Sequence, residues 1–323
     1  MPRFIRSVLA QDEAVTVSTV VTYDLPVNPL SHFLFTLRAL NNTGTITDYQ
    51  LIVSFMSQVS NISVLYKGQA IISGSLQDIM MLNYLVTGKA PWGCNILKTD
   101  DAVRSWTFPV SFGRRWFDVM EAFPATRKGE LQLQVTYAAA QTGIDNISVQ
   151  VETVEMLDVQ PGAFLKYTTL TKTPTSTGFH DVDLPIGNDI LGVLLFGTTV
   201  PSSTSFNATI GQVKLLLDNV EYGYSLANWE SMHGELGARW GDREFYGQIH
   251  RGNFTTTVEG DTGLQQYPNT VEQLYAFLDY DPHMDGEWAI PTAGHARCNL
   301  RINQEPTADA MRAVPVELIR IAS

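Results

Sequence analysis

The residues best equipped for chemistry lie in one short run, Asp279-Tyr-Asp281-Pro-His283-Met-Asp285-Gly286-Glu287. Closely spaced carboxylates beside a turn glycine could hold a hard cation such as calcium through oxygen ligands. The spacing is not that of an EF-hand, and a solvated turn is the stronger reading. Two of these acids could also serve as a glycosidase pair, but that mechanism depends on a carboxyl separation that sequence does not display. The chain has no Gly-rich phosphate loop, no His-Glu-x-x-His pair and no Cys-x-x-Cys spacing. His32, His180, His233, His250, His283 and His295 are scattered, none with a second ligand at helical spacing. Cys298 falls on the apolar face of a strand pattern, far from Cys94, so a small buried hydrophobe is expected there rather than a disulfide. Asn-x-Ser/Thr triplets at Asn41, Asn61, Asn146, Asn207 and Asn253 read as polar residues at strand starts. No enzyme and no resident cofactor are expected, with calcium at Asp279–Glu287 the one ion that this chemistry allows.

The elements that would position these residues are strands. A length of 323 residues admits two domains, each with its own core. Charged residues are only 17% of the chain and hydrophobic ones 44%, a balance that suits β structure with much covered surface. The net charge of -12 argues against a nucleic-acid binder, which needs a basic face to replace phosphate counterions. Met1–Ala10 contains Arg3 and Arg6 and no sustained apolar core, so no secretory signal is visible. The longest apolar run, Ile190–Gly197, is too short to span a bilayer. A soluble protein matured in a cytoplasm is expected.

The strand signals come twice. The alternating run after Gly129 and the strand Val149–Met156 match the run after Gly294 and Val314–Ile321 at an offset of 165, with Val135 on Leu300 and Glu152 on Glu317. Asp24-Leu-Pro-Val27 returns as Asp183-Leu-Pro-Ile186 after 159 residues. Lys67-Gly68 and Asp218-Asn219 are tight-turn pairs between strand-like runs. Ser75 and Ser225 then read as helix N-caps, for helices running to Leu85 and Leu236. Residues 1–14 stand apart as an N-terminal extension; as a helix they would put Phe4, Ile5, Val8 and Leu9 on one side. The expected architecture is all-β: two tandem eight-stranded jelly rolls (β-sandwiches), each with a short flanking helix. Their bounds are 15–158 and 183–323, joined by a linker over 159–182. Long loops, one rich in Trp and Phe over residues 92–123, would supply interaction anchors or fill the first core.

At this point the chain resembles the major capsid proteins of tailless icosahedral viruses with a double jelly roll, above all the coat-protein family of the membrane-containing corticoviruses. The residues that carry the likeness are Phe164-Leu-Lys-Tyr167, Asp183-Leu-Pro-Ile186, the strand Val213–Leu217, and the turn and helix from Asp218 to Trp240. The resemblance implies a homotrimer whose six jelly rolls make a pseudo-hexameric capsomer, tiling the virion of a virus such as a bacteriophage. It implies neighbouring capsomers and minor capsid proteins as partners. It further implies N-termini directed at an inner membrane or genome, with Arg3, Phe4, Ile5 and Arg6 as inner-face contacts, and no catalytic residues. Two alternatives stand beside it, a secreted-type glycan-cleaving enzyme and a lectin-like binding protein, since fold alone does not fix function.

Overall fold

Residues Leu131–Tyr137 alternate apolar and polar, and every second side chain is buried. That is a strand with one face on a core and the other wet. The computed structural model describes residues 3–41, 55–87, 92–94, 101–140, 143–201, 207–240, 274–305 and 308–321. Its first half comprises β1 (Arg3–Ala14), β2 (Val20–Asp24), β3 (Leu30–Asn41), β4 (Val59–Tyr66), β5 (Gln69–Gly74), helix α1 (Leu76–Thr87), β6 (Trp92–Cys94), β7 (Val103–Ser111), β8 (Leu131–Tyr137) and β9 (Ile144–Leu157). Then come β10 (Ala163–Thr168), β11 (Leu170–Lys172), β12 (Gly178–Leu184), β13 (Asp189–Gly197), β14 (Gln212–Leu217), β15 (Val220–Glu221) and β16 (Ala227–Asn228). Helix α2 (Trp229–Trp240), β17 (Tyr275–Asp279), β18 (Ile290–Pro291), β19 (Cys298–Gln304) and β20 (Met311–Arg320) complete the order.

These strands form three sheets. One is β1-β9-β3-β7-β6, another is β12-β19-β14-β15, and a ten-stranded sheet runs between them along β17-β13-β20-β10-β5-β4-β8-β2. Leaving aside the short strands β6, β11, β16 and β18, the described residues of each half hold eight strands wound alike. The first, eighth, third and sixth make one sheet of each sandwich; the second, seventh, fourth and fifth make the other. This is the jelly-roll arrangement. The two sandwiches share the middle sheet, joined where β10 runs parallel beside β5, with Tyr167 opposite Ile72. Because that joint is parallel, both sandwiches point the same way.

The register fixes which residues of the two copies correspond. Lys67 and Gly68 have φ of 50° and 81°, Asp218 and Asn219 49° and 66°, so both hairpins use the left-handed pair that a two-residue turn demands. Beside those turns Tyr66 faces Leu131 and Leu217 faces Cys298. Asp24 faces Gln132, and Asp183 faces Asn299. Both pairings give an offset of 167 (298 − 131), not the expected 165, and a slip of two preserves alternation. On the last strand, Leu30 faces Glu155 and His32 faces Val154, while Ile190 faces Glu317 and Gly192 faces Val316. The same bulge occurs in both copies, and it sets Glu155, not Glu152, against Glu317. Side chains agree: Asn28 donates to Glu155 at 2.7 Å and Asn188 to Glu317 at 2.7 Å.

Three expectations need correction. Residues 1–14 are not a helical extension. From Arg3 to Ala14 they form β1, the first strand of the first sandwich, paired antiparallel with β9. Being an edge strand wet on most of its length, it lacks the alternation that marks a strand. Residues 159–182 are not a linker, for they hold β10, β11 and part of β12, with Leu165 and Tyr167 buried. Ser75 does cap α1, accepting the Asp78 N–H at 3.1 Å. Ser225 caps nothing; its hydroxyl donates to Glu221, Leu226 turns at φ 58°, and α2 begins only at Trp229.

The core explains the apolar run Ile190–Gly197. Ile190, Val193 and Leu195 of β13 face the inside of the second sandwich, while Leu194 and Phe196 face the first. A strand covered on both sides has no wet face and reads as continuous hydrophobicity. What covers its outer side is α1, whose residues from Ile79 to Leu85 are all buried. Cys298 is a free thiol in the second core, pushed up to about 11 by burial.

Candidate assembly surface

Two buried arginine–aspartate contacts tie the sandwiches together. Asp78, on the first turn of α1 and 1% exposed, accepts from Arg312 of β20 at 2.7 Å, from the Tyr275 hydroxyl at 2.7 Å and from the Thr169 hydroxyl at 3.2 Å. Arg312 also lies 3.5 Å over the Phe196 ring. Every lone pair that burial would otherwise strand is thus engaged. Burial beside this carboxylate pushes the Tyr275 hydroxyl well above its ordinary pKa, so it stays a donor. Arg114, in the loop after β7, pairs with Glu121 of the same loop and reaches across to Asp281.

That second contact decides how the acidic run is built. Asp281 spends one oxygen on Arg114; the other accepts the N–H of Asp285 at 3.2 Å and of Gly286 at 2.7 Å. Asp279 accepts the Asp281 N–H and Asp285 the Glu287 N–H. The run is a turn closed by its own carboxylates and anchored to the other sandwich. Among the described residues no cluster of three metal-ligating side chains occurs. Arg114, Arg312 and Asp78 went unnoticed in the sequence because their partners lie 167 and 234 residues away.

Beside the Asp78–Arg312 pair opens a cleft of about 500 Å³, lined by Ser57, Ser60, Asn61, Ser73, Gln77 and Thr169 among others. Asp78 is the one carboxylate among the described lining residues, and it is committed. Acid–base cleavage of a glycan needs two.

The opposite end is different. Strand directions put the start of β1, the turns β2–β3 and β4–β5, the loop β7–β8 and their second-sandwich equivalents together. Here stand Phe4 (62% exposed), Met120 (61%), Val220 (69%) and Trp288 (60%), with Val27 and Ile186 from the two Leu-Pro turns. Trp116 and Phe117 are also exposed, but Trp106, Phe108, Phe112 and Phe123 are core, so the aromatic stretch divides between both expected roles. Trp116 stacks on His32 at 4.3 Å and donates to Ser111, while the Phe117 N–H donates to Ser31, the bulged residue. Phe117 also meets Phe4 at 5.2 Å. Burial, with the Arg6 charge nearby, brings His32 down to about 4. Its counterpart, Gly192, has no side chain because the Phe277 ring lies where a Cβ would sit, 2.5 Å away. Of the expected inner-face residues, Phe4 and Ile5 are exposed, Arg3 pairs with Asp158 at 3.0 Å, and Arg6 pairs with Glu152.

No protein-family model matches the sequence, and the search of curated proteins found no relative. Solved structures do match. The STIV major capsid protein has a TM-score of 0.69 at 14% identity, over 98% of this chain and 97% of that one. The major capsid protein P2 from bacteriophage PM2 has 0.59 at 14% identity, over 99% and 98%. The PBCV-1 virus capsid protein has 0.59 at 10% identity, over 100% and 96%. The fold is a double jelly roll. In this double jelly roll the seam between the rolls is closed by the shared sheet, by α1 and by the two arginines, while one end carries Phe4, Met120, Val220 and Trp288 exposed and the other Val20, Val103 and Phe179.

Proposed function

We propose that this chain is the major coat protein of an icosahedral virion, a structural protein and not an enzyme. It associates as a homotrimer whose six jelly rolls make a pseudo-hexameric block. The observation that carries this reading is the parallel joint between β10 and β5, which locks two sandwiches upright in one orientation as a rigid third of such a block. Full-length likeness to proteins described as viral capsid proteins supports it. The apolar end faces inward, where Phe4, Ile5, Trp116 and Phe117, with Arg3 and Arg115, meet an inner lipid layer; aromatic side chains beside cations suit that boundary. Lateral neighbours are further blocks and minor capsid proteins. Light scattering with electron microscopy of the purified protein tests the reading. The expected result is three chain masses and a hexagonal outline; a monomer at all concentrations sinks it. Flotation with anionic vesicles tests the inward end separately, and Phe4→Ser with Trp116→Ser is expected to abolish it.

A further inference from the structure

At the end of the first roll away from Phe4, a cavity of about 270 Å³ opens between its two sheets. Strands β1 and β9 wall one side and β2 and β8 the other, and the lining includes Glu13, Thr16, Thr19, Tyr23, Tyr137 and Val149. Tyr137 is 3% exposed, and its hydroxyl is enclosed with no hydrogen-bond partner, although that of Tyr23 lies near it. The Tyr23 hydroxyl is donated to Glu13 Oε2 at 2.9 Å. No lysine or arginine among the described residues pairs with the Glu13 carboxylate. A buried hydroxyl without a partner is costly, and a ligand that supplies the missing bond recovers that cost.

The second roll treats the same station differently. Glu13 faces Val149 where Lys172 faces Met311, and Tyr23 and Tyr137 correspond through the strand registers to Val182 and Gln304. Val182 and Met311 are buried there, and Gln304 donates from Nε2 to the Asp309 carbonyl at 2.5 Å. The jelly roll itself therefore requires neither the two phenols nor the carboxylate. We propose that this cavity binds a small organic ammonium, an amine carried on a short alkyl chain. Glu13 supplies the counter-charge at the mouth, the two phenol oxygens accept N–H groups, and the rings with Val149 cover the alkyl chain. Burial, with Glu13 beside it, pushes the Tyr23 hydroxyl up to about 12, and burial raises Tyr137 as well. Both phenols stay neutral, so the charge of the site is that of Glu13. One carboxylate is too few hard oxygen ligands for calcium.

Calorimetric titration of the full chain with butylammonium chloride tests it, with butanol and potassium chloride as controls. The expected result is saturable binding of one butylammonium per chain and none of either control. Glu13→Gln is expected to weaken binding roughly tenfold, the size of one charge-assisted hydrogen bond. Val149→Met, which copies the second roll, should abolish it, and Tyr137→Phe should weaken it severalfold without lowering the melting temperature of the unliganded chain. Equal affinity in Glu13→Gln and the parent overturns the proposal, because the cation is then drawn only by the overall charge of -12. So does the absence of saturable binding to the parent. Should Val149→Met fail to fold, Glu13→Gln, at an exposed position, decides alone.

Discussion

The two helices occupy the same station in the two rolls, yet they have little in common. Helix α1 is apolar on nearly every side, with Leu76, Met81, Leu82 and Leu85 all buried and even Asp78 and Asn83 enclosed. Helix α2 has one apolar stripe, Trp229, Met232 and Leu236, and an outer face of Glu230, Ser231 and Glu235. A helix hydrophobic all round must be covered on both sides, and one with a stripe is covered on one. The difference teaches that the helix enclosed in the seam is apolar on both sides, its few polar groups paired, while the helix outside the seam keeps one side polar.

The comparison can be broken most sharply at Asp78. Asp78→Ala leaves Arg312 and Tyr275 without their acceptor in the seam and is expected to destabilise by roughly 3–5 kcal/mol in urea unfolding. Asp78→Leu with Arg312→Met should recover most of that loss; if it does not, the seam is held by more than the ion pair. The second test uses acid. His32 falls from 6.5 to about 4 in the folded chain, so the unfolded chain binds the proton more tightly. Stability is full above pH 6.5 and is lost as pH falls towards 4, by up to about 3 kcal/mol. His32→Gln should flatten that window, measured as thermal stability against pH. A third test compares the turns. Gly68→Ala places a Cβ at φ 81° and should cost about 1 kcal/mol, whereas Asn219→Gly should change stability by a few tenths. The smallest effect is expected at Glu235→Ala on the open helix, under about 0.5 kcal/mol in the isolated chain. A larger value there would mean that α2 is already covered.

Much of the fold was legible because alternation, Leu-Pro strand ends and positive-φ turn pairs are local signals. What local signals could not supply was register and coverage. The offset of 165 for Leu131–Tyr137 was wrong by two, which a period-two pattern cannot detect. Along β9 and β20 runs of consecutive buried residues erase alternation, so Glu152 was matched where Glu155 belongs. Strand β1 looked helical because Phe4 and Ile5 are adjacent and both wet, with no buried partner to reveal the pleat. The acidic run was visible, but its purpose depends on Arg114, a residue in the other roll. The Trp92 side chain, and residues 241–273 with His250 and Asn253, lie outside what the structure describes.

The place of β20 in the shared sheet has a consequence for damaged chains. It sits between β13 and β10, although more than a hundred residues separate it from either in sequence. A polypeptide interrupted between Gly197 and Met311 leaves those two strands with bare, facing backbone edges and an unfilled slot. Such a fragment keeps every earlier strand and still cannot close the sheet, so damage late in the sequence is felt in the middle of the molecule and not at its rim.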